Sequence, residues 1–361
     1  MSASNSKNVL KGRGTSSMIP GRFTLQTIEP DENSELDKSH GEIPRFQTEV
    51  RYENARTIIS RNQSPDVPFT QSVNPYRGCE HGCIYCFARP SHAYLDLSPG
   101  LDFETKLSAK INAAEVLQKE LSHPDYQCQP IALGMNTDAY QPIEKDLKIT
   151  RALLEVAYQY KQPISLITKS SLILRDIDLL AAMASERLLH VAISVTTLNN
   201  DLKRQLEPRA TSGAARLKVI KTLKENKIPV TALVAPVIPF VNDHELEDIV
   251  AACALAGADS LHYIMLRLPH EVAPLFEEWL RLYLPERADR VLNHIREIHR
   301  GKLYNSQFGQ RMTGEGVYAD LIRQRFHLAR QKAGVGNQRL SPLDVSQFCI
   351  PPQSGDQIAL F

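Results

Sequence analysis

From residue 71 onward, short apolar runs rich in β-branched residues alternate with longer amphipathic stretches. The short runs lie at residues 72–76, 130–134, 164–168, 190–196, 230–237 and 260–268. Between them, apolar positions recur at helical spacing over residues 102–121, 145–160, 175–187, 210–226 and 243–256. Strand–helix alternation of this kind predicts parallel strands covered by helices. The run TALVAPV, ending at Val237, is nearly all apolar, as expected for a strand buried on both faces. Six such units predict a barrel-like α/β fold, complete or partial. In that architecture ligand chemistry gathers at the C-terminal ends of the strands.

The flanks read differently. Residues 1–45 are rich in Ser, Asn, Gly, Pro and charge without an apolar period. They are expected to form a flexible N-terminal arm, with a short ordered stretch near residues 23–28. Residues 46–70 are expected to be an extended lead-in, because Pro65 and Pro68 preclude a regular helix. Residues 71–270 would be the barrel core. Helical patterns at 271–283, 285–300 and 315–333 predict a helical C-terminal extension over 271–340, followed by a tail over 341–361.

With 361 residues and 42% hydrophobic content the chain can build a large core. The formal net charge of +1 supplies no global field toward nucleic acid or membrane. No run approaches the roughly 18–20 apolar residues that span a bilayer. The start, MSASNSKNVLKGRGTSS, lacks the apolar centre of a signal peptide. A cytoplasmic protein without membrane contact is therefore expected, and its thiols would stay reduced.

That expectation makes the six cysteines informative. Cys128, Cys253 and Cys349 are scattered, whereas Cys79, Cys83 and Cys86 fall in one short segment, NPYRGCEHGCIYCFAR. The spacing is C-x3-C-x2-C. Three thiolates in one loop after a predicted strand suit three corners of a [4Fe-4S] cluster. A ferredoxin-type site would need a fourth cysteine close by. A three-ligand cluster leaves one iron open, as catalytic metal sites do for substrate. The amino and carboxylate groups of a methionine-derived ligand suit that position, and Gly78 and Gly82 let the loop wrap closely. The alternative is a structural zinc site on the same cysteines with His81, but zinc motifs usually repeat a CxxC pair after a spacer, and none follows. Cys128 and Cys253 read as packed thiols, and His190 as a buried structural residue.

This motif, with aromatic Tyr85 before the last cysteine, resembles the signature of the radical S-adenosylmethionine (SAM) superfamily. The branch it resembles is related to spore photoproduct lyase, and more closely an uncharacterised bacterial group of photolyase-like proteins. The resemblance runs from about residue 56 to the C-terminus and includes SPDVPF, SPGLDFETKL, TDAYQPIE, VAPVIPFVND and MTGEGV. It implies an α/β fold that is a partial (β/α)6 TIM-like barrel. It also implies a [4Fe-4S] cluster on Cys79, Cys83 and Cys86, with S-adenosyl-L-methionine as second cofactor. Its activity would be reductive cleavage to a 5′-deoxyadenosyl radical, with an electron donor such as flavodoxin or ferredoxin.

Carried onto matching strand ends, the resemblance places Asn136, Thr137 and Asp138 near the ligand's amino group and Lys169 near its carboxylate. Ser194 and Thr196 would meet the ribose, and Arg209 a carboxylate. Val237, Ile238 and Asn242 would lie along the adenine, with Arg267 facing the cavity. Two departures stand out. GMNTD carries no cysteine, whereas spore photoproduct lyase has a hydrogen-donating cysteine after that strand. Phe240 stands where relatives commonly have Gly.

The C-terminal region adds Arg323, Arg325, Arg330, Lys332 and Arg339, a basic run that would be either a solvated helix face or a phosphate track. The last residues, QIALF, resemble a peptide that docks on the bacterial sliding clamp. There Gln357 would bond at the rim while Leu360 and Phe361 fill an apolar pocket. Together these features point to a radical enzyme acting on nucleic acid. The alternatives are radical modification of a protein or small molecule, and a zinc-stabilised nucleic-acid-binding module without catalysis.

Overall fold

The computed structural model describes residues 10–24, 47–335 and 340–352. Its centre is a seven-stranded sheet. Six of the strands are parallel: β3 (Gln71–Val73), β6 (Ile131–Leu133), β7 (Ile164–Thr168), β8 (Leu189–Ser194), β9 (Val230–Val237) and β10 (Ser260–Met265). They coincide with the six apolar runs of the sequence. β2 (Ile59–Arg61) adds an antiparallel edge to β3, which gives the order β10-β9-β8-β7-β6-β3-β2.

Along β9, Val230, Ala232 and Val234 are buried while Thr231, Leu233 and Ala235 are half-buried, so no residue of the strand is fully exposed. The buried set packs with Val219, Ile220 and Leu223 of the helix Gly213–Glu225 and with Ile249, Val250 and Cys253 of the helix Leu246–Leu255. Side-chain caps fix where the connecting helices begin. Ser212 accepts from Ala215 N, and Asn199 accepts from Asp201 N at the start of Asn200–Leu206.

The stretch 102–121, expected as one helix, is instead a short helix Asp102–Thr105, the strand β5 (Lys106–Lys110) and a helix Ala113–Leu121. The segment KLSAK alternates, and it pairs with β1 (Glu49–Glu53) and β4 (Tyr76–Arg77) in a separate three-stranded sheet. Two partners from other parts of the chain override the local helical pattern.

The N-terminal arm also departs from its reading as flexible chain. Residues 10–24 lie along the fold: Gly14 N donates to Glu104 Oε2 at 2.9 Å, Ser17 Oγ donates to Glu278 Oε2 at 2.5 Å, and Arg22 pairs with Glu271. The tail likewise folds back over residues 340–352, where Gln347 Nε2 donates to Glu186 O and Cys349 N to Tyr160 O. Gln357, Leu360 and Phe361 of the clamp-like peptide, and Arg339 of the basic run, lie outside the described residues. Among the described residues no helix is long and apolar enough to cross a membrane.

Candidate active site

β3 delivers the chain into the cysteine loop at its C-terminal end, the face on which barrel chemistry collects. Gly78 and Gly82 adopt φ of +75° and +67°, the left-handed region in which a side chain is strained. At Gly82 a Cβ would also stand 2.7 Å from Glu104 Oε2. The loop is fastened from several sides. Cys79 N donates to Phe103 O, Ile84 N to Leu206 O, and Arg209 N to His81 O. Gln141, after β6, accepts from Glu80 N and donates to Gly78 O.

Beneath the loop a buried ion pair joins Arg89 and Glu104, both fully excluded from solvent. Arg89 also donates through Nε to Cys83 O, and through Nη1 to Pro99 O and Gly100 O. The cysteine loop is thus held through Cys83 O by a guanidinium that makes four hydrogen bonds.

Cys79 and Cys83 are buried and Cys86 is half-buried. Burial pushes the Cys83 thiol up to about 12, with Glu207 adding to the rise and Lys169 opposing it. Burial also raises Cys79 well above the ordinary thiol value, with contributions from Asp138, Cys83 and Cys86. The three sulfurs therefore feel one another. The other described cysteines are elsewhere: Cys253 is buried in the Leu246–Leu255 helix, Cys128 bonds Gln162 ahead of β6, and Cys349 is exposed.

The residues expected to line a cofactor pocket fall into two groups. Several are committed to the protein itself. Asp138 accepts from Thr168 Oγ1, Lys169 N and Tyr140 N, and it faces His81 Nδ1 at 3.3 Å. Burial opposes its charge, yet His81 and these donors hold its carboxyl well below the usual carboxylate range. Thr137 donates to Tyr76 O. Asn242 accepts from Ile238 N and donates to Thr196 O and Pro236 O, which fixes the turn after β9. Ile238 and Val237 are buried, and Ile238 packs in the cluster that holds Cys83 and Tyr85. Thr196 is bonded to Glu207 and Ala235 O, and Arg209 to Glu80 at 2.8 Å.

The second group is less engaged. Asn136 is exposed past the end of β6, where its backbone N–H donates to Asn74 Oδ1. Ser194 is buried at the end of β8, where its carbonyl accepts from Arg216. The ammonium of Lys169 has no hydrogen-bond or ion-pair partner among the described residues. Burial works against its charge, but Cys83 and Glu207 raise its pKa above the ordinary lysine value. Arg267 stands at the end of β10 with its guanidinium 4.8 Å from the Phe87 ring centroid.

The hub that sequence reasoning missed is Glu207. Its carboxylate accepts from Tyr85 Oη, Thr196 Oγ1 and Arg216 Nη2. Burial opposes the charge, while Arg216 and Lys169 pull the pKa down to about 2. In sequence Glu207 is one acid in LEPRA with no pattern to mark it. The Phe240 departure has a structural counterpart: its φ is +57°, the conformation Gly prefers, and its ring stacks on Tyr318 and packs at a tilt against His294, under Arg290.

The family model of the radical SAM superfamily matches residues 73–253. A protein of Mycobacterium tuberculosis (strain ATCC 25618 / H37Rv) is 34% identical over 290 residues, which are 80% of this chain and 82% of the relative. The chain belongs to the radical SAM superfamily. A protein of Methanocaldococcus jannaschii is 31% identical over 191 residues, 53% of this chain and 68% of the relative. Both relatives are uncharacterized, so they establish kinship without a reaction. Among solved structures, "Spore photoproduct lyase complexed with dinucleoside spore photoproduct" superposes with a TM-score of 0.54 at 13% identity, covering 78% of this chain and 79% of that one. A double mutant of that lyase with bound AdoMet and the same dinucleoside gives 0.54 at 14% identity, covering 82% and 86%. These superpositions show the fold, the partial barrel of radical SAM proteins.

The protein is therefore an enzyme of the radical SAM type, and its family implies S-adenosylmethionine and an iron–sulfur cluster. The cysteine loop fits such a group. Burial disfavours the charged form of Cys79 and Cys83, and a cationic iron centre is what would convert such thiols to thiolates, with Cys86 half-buried beside them in the same loop.

Proposed function

We propose that Cys79, Cys83 and Cys86 hold a [4Fe-4S] cluster with one open iron, and that the enzyme cleaves S-adenosylmethionine reductively and acts on a nucleic-acid substrate. The observation that carries the first part is the convergence of the three thiols in one pinned loop, with the other described cysteines elsewhere. When bound, the cluster would supply one electron, passed on from an external donor such as flavodoxin or ferredoxin, for reductive cleavage of the sulfonium C5′–S bond to methionine and a 5′-deoxyadenosyl radical.

The chain's own residues orient and shield. Lys169, an unpaired ammonium next to Cys83, suits the ligand's carboxylate. Asn136 and Asp138 border the amino group. Ser194, Thr196, Val237, Ile238 and Asn242 form the wall for ribose and adenine, and Arg209 anchors the loop through Glu80. Tyr85, on Glu207, closes the buried side.

A zinc-stabilised module is the competing reading. A tetrahedral zinc site usually completes itself with a second CxxC pair after a spacer, and none follows here, whereas a cluster with one open iron would need only the three thiolates of the loop.

The nucleic-acid part draws on the fold shared with a lyase solved on a dinucleoside photoproduct. The basic helix Val317–Lys332 supports it less, since Arg323 pairs with Asp320 and Arg325 with Glu247. The QIALF peptide, through Gln357, Leu360 and Phe361, is proposed to dock on a sliding clamp. Clamp pull-down that survives removal of these five residues would refute that docking.

The decisive experiment is anaerobic reconstitution with iron and sulfide, then dithionite and S-adenosylmethionine, with chromatography for 5′-deoxyadenosine. The product is expected from the native protein and not from Cys83→Ala. A colourless zinc protein, or an iron–sulfur spectrum unchanged by Cys83→Ala, would overturn the reading.

A further inference from the structure

β10 and β2 are the two edges of the seven-stranded sheet, yet the loops beside them meet. Arg311, in the loop that also bonds Met265 N through Met312 O, makes a two-pronged pair with Asp66 of the β2–β3 hairpin at 2.7 and 2.6 Å. The curled sheet thus brings both lips of the barrel's lateral opening together, next to the cysteine loop. Two exposed aromatic rings stand here, Phe87 at 45% exposure and Phe308 at 52%. Each carries a guanidinium, Arg267 and Arg311 respectively, at 4.8 Å from the ring centroid.

The two arginines differ in one respect. The charge of Arg311 is met by Asp66. That of Arg267 has no carboxylate and no hydrogen-bond acceptor among the described residues, only the face of Phe87. Half-buried and facing Cys86, Tyr304 and Asp66 at longer range, this guanidinium keeps a desolvation cost that an arriving anion would offset. An anion-seeking fork beside exposed aromatic faces is the combination that holds a nucleotide strand, with phosphate on the cation and base on the ring. Phe87 follows Cys86 directly in the chain, so a base stacked there lies beside the cysteine loop.

We propose that Phe87 and Arg267 form the substrate subsite of this enzyme, taking one nucleotide of a single strand, with Phe308 as a second stacking platform. The inference rests on the nucleic-acid reading above and names the surface that would serve it.

The test is fluorescence anisotropy of a labelled single-stranded oligonucleotide, as DNA and as RNA, on the reconstituted enzyme across a salt series. Arg267→Ala is expected to weaken binding roughly tenfold and to reduce the salt slope by about 0.7, one phosphate contact on a single strand. Phe87→Ala is expected to weaken binding by a similar factor with the salt slope unchanged, as a lost stack would. Lys221→Ala, on an exposed helix face, is expected to bind like the native protein. Iron content and the unfolding midpoint verify folding, and Arg267→Gln repeats the charge test if the alanine variant does not fold. Tighter binding of DNA or of RNA identifies which strand is the substrate. Equal affinity of both variants and native protein overturns the subsite. So does binding of an acidic peptide in place of either oligonucleotide. Because binding is read without dithionite or S-adenosylmethionine, its failure leaves the radical reading standing.

Discussion

Arg216 donates to Glu207 through Nη2 where both side chains are shut off from solvent, and Glu207 in turn holds the hydroxyl of Tyr85. The cysteine loop is thereby tied to β8, whose last residue, Ser194, accepts from Arg216 Nη1 at 3.0 Å. Removing one partner of a buried pair leaves the other charge uncompensated, which costs about 3–5 kcal/mol. Glu207→Ala and Arg216→Met are each expected to lose stability on that order, while the double variant loses less than the sum. Denaturant unfolding of the three proteins checks this. Additive losses would show that the two side chains do not act as a unit.

The same carboxylate predicts an acid limb. Its pKa is about 2 in the folded protein, against about 4.3 for an unfolded glutamate. A depressed folded value means the stabilisation is complete above the unfolded pKa and is lost as pH falls toward 2. It amounts to about 3 kcal/mol. Glu207→Gln is expected to be less stable than the native protein at pH 6 but to lose less between pH 6 and pH 3. Parallel stability curves for the two proteins over that window would contradict the assignment.

How much of this was legible beforehand follows from where each signal lives. The six barrel strands were readable because a parallel strand covered on both faces must be apolar throughout, as in Val230–Val237. The family was readable because the C-x3-C-x2-C motif is visible in a local window of sequence. Lys106–Lys110 was misread since its strand exists only through pairing with β1 and β4, information absent from a local window. The positions of Asp138, Thr196 and Asn242 were foreseen, but not their engagement with His81, Glu207 and the turn after β9, because hydrogen-bond saturation is a property of the packed state. Residues 10–22 read as flexible chain because a main-chain donor at Gly14 and single contacts from Ser17 and Arg22 dock them, and these leave no periodic apolar trace.

Gly14 supplies a separate prediction. A Cβ there would stand 1.9 Å from Gly82 O, inside the cysteine loop, so any side chain lifts the N-terminal segment off its seat. Gly14→Val is expected to expose the back of the loop. The proposed cluster would then bleach several-fold faster in air, and proteolysis near Arg13 would quicken. Unchanged bleaching kinetics would mean that this segment does not shield the loop.

The Asp66–Arg311 pair should control how the lateral opening breathes. It is charge-assisted, two-pronged and largely hidden, with side-chain exposures of 8% and 16%. Asp66 also accepts from Gly309 N, so it fastens the loop's main chain as well as its side chain. Asp66→Asn keeps the shape but removes the charge, and the loop over residues 301–314 is expected to lose hydrogen-exchange protection while the β7 and β8 amides keep theirs. If protection is lost equally in β8, the pair supports the whole domain. If it is lost nowhere, the contact of Met265 N with Met312 O is enough to hold the loop down.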